Sequence, residues 1–127
     1  MEQRPVYLDL TKIRLPMSAL SSITHRLSGM YVFFVTTPLM LFIIHNSTSS
    51  KSNFDSLVLK LEAISIFSLI TYVSILILWY HILTGVRHLI MDFFHIGESL
   101  KGSNNSAIFV IFFWILSSTS FLIFIYL

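Results

Sequence analysis

Three stretches of this chain carry no Lys, Arg, Asp or Glu: residues 27–45, 63–86 and 103–127. An α-helix rises about 1.5 Å per residue, so about 20 residues cross a hydrocarbon core of about 30 Å. The second and third stretches reach that length directly. The first reaches it if its helix begins before Arg26, within the segment SALSSITHR at residues 18–26. A span facing lipid must satisfy its own backbone groups, and three segments are too few to close a barrel, so each is expected to be a helix. Composition agrees. The chain is 55% hydrophobic and 11% charged, with a mean hydropathy of +0.82, whereas a soluble domain has about 25% charged residues. The expected architecture is an all-α integral membrane domain over residues 1–127. Its spans fall near 20–45, 61–90 and 106–127, after an N-terminal segment at 1–19. Pro38 lies inside the first span, where neighbouring helices are expected to re-satisfy the carbonyl it frees.

Between the spans, residues 45–56 (HNSTSSKSNFDS) and 97–106 (GESLKGSNNS) have the composition of loops. No internal repeat is visible, and no small-residue cleavage site follows the first apolar run, so a cleavable signal peptide is not expected. The chain has no cysteine, which excludes disulfides, Cys-ligated iron–sulfur clusters and covalently attached c-type haem. Its net charge is +2, but the cations are scattered and no basic patch with interleaved aromatics appears, so nucleic acid is not an expected partner. Six of the eight cations, Arg4, Lys12, Arg14, Arg26, Arg87 and Lys101, fall on the N-terminal side of the spans. The other two, Lys51 and Lys60, lie in the first linker. The positive-inside rule then places the N-terminus and second linker inside, and the first linker and C-terminus outside.

Two stripes do not suit lipid. Ser22, His25, Arg26 and Gly29 recur at i, i+3, i+4 and i+7; His81, Gly85, His88 and Asp92 recur at i, i+4, i+7 and i+11. Each set lines one helical face, and the glycines remove bulk where something flat or large approaches. Ionisable groups at membrane depth are costly and face a protein interior or a cofactor. By the expected topology both stripes lie toward the inner side, with His81 about 9 Å deeper than Arg87. An imidazole below two arginines and a second histidine fits haem b, with histidine on the iron and cations on the propionates. The stripe alone leaves two readings of His81: an axial haem ligand, or a hydrogen-bonded histidine between packed helices. Arg26 and Arg87 read equally as positive-inside anchors, and Asp92 as a charge balancing Arg87 or Lys101. His45 and His95 read as structural, and Trp79, Tyr80 and Trp114 as packing or interface residues. His88 cannot share one iron with His81, because seven residues separate them by about 10.5 Å along a helix. A second ligand comes from His25 or from a partner subunit. Three spans enclose a porphyrin poorly, which favours the partner.

Residues 3–29 (QRPVYLDLTKIRLPMSALSSITHRLSG) and 80–93 (YHILTGVRHLIMDF) resemble the two signature blocks of the cytochrome b subunit of bacterial-type succinate dehydrogenase, respiratory complex II. The resemblance implies the larger membrane anchor of succinate:quinone oxidoreductase, one half of a heterodimeric membrane-anchor bundle in the bacterial inner membrane. Its implied partners are a second small anchor subunit, an iron–sulfur subunit and a flavoprotein subunit. Haem b is shared with the second anchor, and ubiquinone is the substrate. Such a chain is inactive alone and takes no part in succinate oxidation itself. Carried onto this sequence, His81 matches the axial ligand of the haem iron. Ser22 and Arg26 match quinone-site positions, His25 and Arg26 match positions near the haem propionates, and His88 matches a haem neighbour. Reducing a quinone needs a donor to its oxygen, which Ser22 offers, and a fixed positive charge, which Arg26 offers. His25 and Asp92 are candidates to relay protons from water. Two other functions remain open: a fumarate reductase anchor running in the quinol-oxidising direction, and a non-redox transporter component using the stripes as an ion path.

The topology has a direct test. With no native cysteine, single cysteines at Ser49 and Ser103 should label from the outer and inner side respectively; the reverse accessibility would overturn the orientation.

Overall fold

The computed structural model describes residues 15–97 and 99–126. Arg4, Lys12, Arg14, the start of the N-terminal segment 1–19 and the first part of the 3–29 block lie outside the described residues, as does Glu98. Among those described there is no strand. The helices are α1 (Met17–Tyr31), α2 (Thr37–Ser49), α3 (Lys51–Glu62), α4 (Ile66–Phe94) and α5 (Leu100–Tyr126). Helix α1 runs into α2 through one π turn, Val32–Thr36, giving a continuous span Met17–Ser49 of 33 residues. With α4 and α5, three helices are long and apolar enough to cross a membrane.

The π turn is how the first span accommodates Pro38. Proline lacks an N–H, and its ring collides with the carbonyl four residues earlier, here Phe34. One widened turn relieves this. The Thr37 backbone N–H donates five residues back to the Val32 carbonyl, and the Thr37 hydroxyl donates to the same oxygen at 2.9 Å. The accommodation is therefore internal to the helix and not supplied by neighbours, as the sequence led one to expect.

Both linkers are more helical than their composition implies, and the reason is capping. Ser50 accepts the Asn53 N–H at 3.2 Å and starts α3, so much of the expected 45–56 loop is helix. Helix α3 is twelve residues long, too short to span. Ser65 and Ser68 then exchange bonds: the Ser68 N–H donates to Ser65 Oγ at 3.2 Å and the Ser65 N–H to Ser68 Oγ at 3.0 Å. This reciprocal cap sets the start of the second membrane helix at Ile66, several residues after the expected 61. Helix α4 ends with His95 in the left-handed region at φ 52°, followed by Gly97 at φ 78°, where glycine carries no steric cost. Ser99 accepts the Gly102 N–H at 3.1 Å and opens α5, so most of the expected 97–106 loop is helix too.

Packing is polar inside and apolar outside. The buried residues include Ser21, Ser28, Thr36, Ser68, Thr71, Ser74, Thr84 and Ser118, with Leu57 and Ala107 the buried hydrophobics among those described. Phe33, Phe34, Leu69, Phe112 and Phe124 are exposed. This is the pattern of helices in lipid, where small residues let backbones approach and hydroxyls bond across the seam. Helix α1 packs on both α4 and α5, α4 packs on α5, and α3 folds back against α2 and α4. The Met17 N–H, in the first turn of α1, donates to Asn104 Oδ1 on α5 at 2.8 Å. Trp79 Nε1 donates to Ser117 Oγ at 2.9 Å and Trp114 Nε1 to the Leu76 carbonyl at 3.0 Å, which makes both tryptophans links between α4 and α5.

Arg87 corrects an expectation. It is 5% exposed and turns toward α5, where Nε donates to Ser106 Oγ at 2.9 Å and Nη2 to the Ser103 carbonyl and hydroxyl at 2.7 and 3.1 Å. It is neither a surface anchor nor a cation above His81. Asp92 is exposed and takes no bonding partner among the described residues. Because Ser103 is engaged, Lys101, exposed on the same turn, is the better inner-side labelling position. Replacing Arg87 by Met should weaken the α4–α5 seam by about 1–2 kcal/mol, the worth of interhelical polar contacts in membranes. Thermal denaturation of the detergent-solubilised complex measures it, and an unchanged midpoint would show that the three bonds add nothing net.

Candidate functional site

The two stripes face each other. Helix α1 presents His25 and Gly29, helix α4 presents His81, Gly85 and His88, and the helices close on one another there. The His25 and His81 rings are stacked, with centroids 4.3 Å apart and planes 5° from parallel. The His88 ring lies 5.4 Å from that of His25, tilted by 48°. All three side chains are half-buried.

Glycine makes the approach possible at both ends of the stack. A Cβ built on Gly29 would sit 3.0 Å from His81 Cε1, and one on Gly85 would sit 3.3 Å from His25 Nε2. Each helix thus lends a bare backbone position to the histidine of the other. Around them run bonds between α1 and α4: Thr24 Oγ1 to the Tyr80 hydroxyl at 2.6 Å, Ser28 Oγ to His81 Nδ1 at 2.9 Å, and the Tyr31 hydroxyl to Ser74 Oγ at 3.3 Å.

His81 is held on one side only. Nδ1 lies 2.9 Å from Ser28 Oγ and 3.3 Å from the His25 carbonyl oxygen. A carbonyl can only accept, so Nδ1 carries the proton and the neutral ring keeps its lone pair on Nε2. Among the described residues no hydrogen bond engages Nε2. A half-buried imidazole with one nitrogen anchored and the other a bare donor is the form in which histidine ligates a metal. The residues present therefore fit a haem held through His81. His25 would not be a second ligand to such a group, because its ring lies face to face with that of His81 with no space between them for a metal.

Ser22 is half-buried and Arg26 exposed, one turn apart on α1. Neither side chain has a bonding partner among the described residues, so hydroxyl and guanidinium are both available at the end of α1 that begins beside α5. Of the two described arginines, Arg26 follows His25 directly on α1, whereas Arg87 bonds to α5. Ser28 was not singled out by the sequence, although it stands in the run His25–Arg26–Leu27–Ser28–Gly29. Its position three residues after His25, next to the glycine of the stripe, is the signal that would have found it.

The fold and site define a multi-pass membrane protein in which two of the helices bring three histidines together. Residues 1–121 match the family model described as the succinate dehydrogenase/fumarate reductase transmembrane subunit. The chain is 39% identical over 90 residues to the succinate dehydrogenase cytochrome b556 subunit of Coxiella burnetii, covering 71% of each chain. It is 33% identical over 103 residues to the cytochrome b556 subunit of Rickettsia prowazekii, covering 80% of this chain and 77% of that one. The cytochrome b560 subunit of Porphyra purpurea is 34% identical over 90 residues, at 70% and 71% coverage. This chain belongs to that family, as a cytochrome b membrane subunit of succinate dehydrogenase, and so forms part of an oxidoreductase complex.

The two glycines should differ when filled. His81 cannot retreat from a Gly29 methyl without lengthening its Nδ1 bonds, so Gly29→Ala should destabilise the solubilised complex by about 1–3 kcal/mol, the usual cost of overpacking. Gly85→Ala needs only a small shift of His25 and gains about 1 kcal/mol of helix propensity, so it should leave the denaturation midpoint near wild type. Equal losses would show that the glycines serve general helix contact and not the seating of His81.

Proposed function

We propose that this subunit binds haem b through His81 and a quinone beside Ser22 and Arg26, and passes electrons from an iron–sulfur subunit to ubiquinone. The observation that carries this is the meeting of the two stripes, where His81 stacks on His25, the residue between Ser22 and Arg26 on the face of α1. The relatives carry cytochrome b names, which supports haem b as the group that His81 takes. Since His25 is stacked on His81 and not opposed to it, the second axial ligand comes from another chain, the second small anchor subunit. His25, Arg26 and His88 line the same side and serve the haem periphery. When bound, haem supplies a one-electron carrier near the quinone.

The chain's own residues do the rest. Ser22 donates a hydrogen bond from its hydroxyl to a quinone oxygen, and Arg26 holds a fixed positive charge where negative charge grows as that oxygen is reduced. The exposure of Arg26 opens this end to water, from which protons reach the oxygens, with His25 and Asp92 as relays. The electron-donating iron–sulfur subunit, itself bound to the flavoprotein, docks on this face, which is the cytoplasmic side of a bacterial inner membrane with the N-terminus inside. These relatives are named for succinate dehydrogenase, which favours quinone reduction over the fumarate-reducing direction that the family also includes.

The test separates quinone chemistry from succinate oxidation. Losing a hydrogen bond to an oxygen that develops charge costs about 10²–10³ in rate at comparable oxyanion sites. In assembled complexes, Ser22→Ala and Arg26→Leu should lower succinate:quinone activity steeply. Reduction of a soluble dye that takes electrons before the membrane step should survive. Arg26→Lys should recover only part, since an ammonium keeps the charge without the planar donor fork. If both activities fall together, these residues serve assembly; if neither falls, the quinone binds elsewhere.

A further inference from the structure

We infer that Ser28 is a positioning residue for His81: it fixes the ring's tautomer and tunes the electron density of the nitrogen offered to iron. The inference rests on the reading of His81 as the haem ligand and extends it to a residue outside both stripes. Ser28 Oγ donates to the His25 carbonyl at 2.7 Å. A hydroxyl has one proton, so at its 2.9 Å contact with His81 Nδ1 the oxygen must accept. Nδ1–H is therefore shared between the Ser28 hydroxyl and the His25 carbonyl, the latter at 3.3 Å.

The arrangement acts as a relay along α1. The His25 carbonyl, one turn before Ser28, orients the hydroxyl by taking its proton, and the hydroxyl's lone pair then faces helix α4. Ser28 is 7% exposed, so water does not compete for that lone pair. Turning the imidazole over would put a carbon where Nδ1 stands and would forfeit both bonds. A Cβ built on Gly29 would sit 3.0 Å from Cε1, so only a bare backbone position fits along that edge of the ring. The ring is thus seated in one orientation, by groups that all belong to α1.

The chemical consequence follows from the direction of the bond. A ligating histidine that donates its second N–H is a more basic ligand, and hydrogen bonding around the iron is one lever on haem potential. A more electron-rich imidazole favours ferric over ferrous iron. Removing the Ser28 acceptor should therefore raise the haem midpoint potential. Threonine should preserve it, because its hydroxyl can make the same bond to the carbonyl three residues back.

The experiment is a potentiometric titration of the b-type spectrum in membranes carrying the assembled complex. Ser28→Ala should shift the midpoint upward, and Ser28→Thr should stay near wild type. Ser28→Val matches threonine in size and lacks only the hydroxyl, so it should follow alanine. Should Ser28→Ala assemble without haem, the Thr and Val pair carries the comparison alone. A higher midpoint in Val than in Thr supports the inference, and equal midpoints overturn it. His81→Tyr is the control for the underlying reading. Loss of the low-spin haem there, together with unshifted Ser28 variants, removes only the role of Ser28. A normal low-spin haem in His81→Tyr removes the ligand assignment itself.

Discussion

The seam between α1 and α4 is the contact on which this bundle turns. In lipid, two apolar helix faces gain little from meeting each other, because hydrocarbon chains solvate them as well as leucine does. What holds α1 to α4 is therefore polar and steric. Thr24, Ser28 and Tyr31 recur at i, i+4 and i+7 and bond to Tyr80, His81 and Ser74. Between these bonds Gly29 and Gly85 let the backbones approach. Each hydroxyl is satisfied by the opposite helix or by a carbonyl of its own. The His25–His81 stack lies in the middle of this seam, so the groups that hold the helices together are also the groups that orient the site.

How much of this was legible in the sequence follows from where the energies lie. Charges in hydrocarbon are expensive, so the three uncharged runs announced three spans, and the charged stripes announced which faces turn inward. Helix ends are set by single hydrogen bonds that composition does not report. Ser50 and Ser99 read as loop residues and Ser65 as part of a span, yet each opens a helix by accepting an N–H three residues on. Arg87 was misread for a related reason. Spacing places it near the histidines, but it does not say which neighbour a long side chain will reach. Ser28 escaped notice because a serine in an apolar run is more often an internal helix bond to a preceding carbonyl. It makes that bond and the contact with His81 as well.

The exposed apolar surface has a direction. Large side chains such as Phe33, Phe34, Phe93 and Phe112 face outward, as lipid or a companion subunit requires. The described residues contain no group of three or more His, Cys, Asp or Glu that could hold a metal ion. A single-chain site would need two imidazoles opposed across a gap, and the parallel stack of His25 on His81 is the opposite arrangement. Under the proposed reading, a second set of helices would supply both the other ligand and a cover for part of the outward apolar surface.

Helix α4 links these demands through its rotation. At about 100° per residue, Ser74 and His88 each fall within about 20° of His81, and Gly85 lies about 40° from it. All four belong to the side that meets α1. Arg87 lies about 120° round from His81 by the same count, and there it reaches Ser103 and Ser106 on α5. Trp79 reaches Ser117 on the same helix. A helix free to roll would carry His81 away from Ser28 and expose the buried guanidinium together. Bonds on two sides of α4 remove that freedom, because any rotation that improves one set breaks the other. Arg87, which the sequence left as a cofactor-facing cation or a positive-inside anchor, acts from the far side instead, by holding the helix that presents His81.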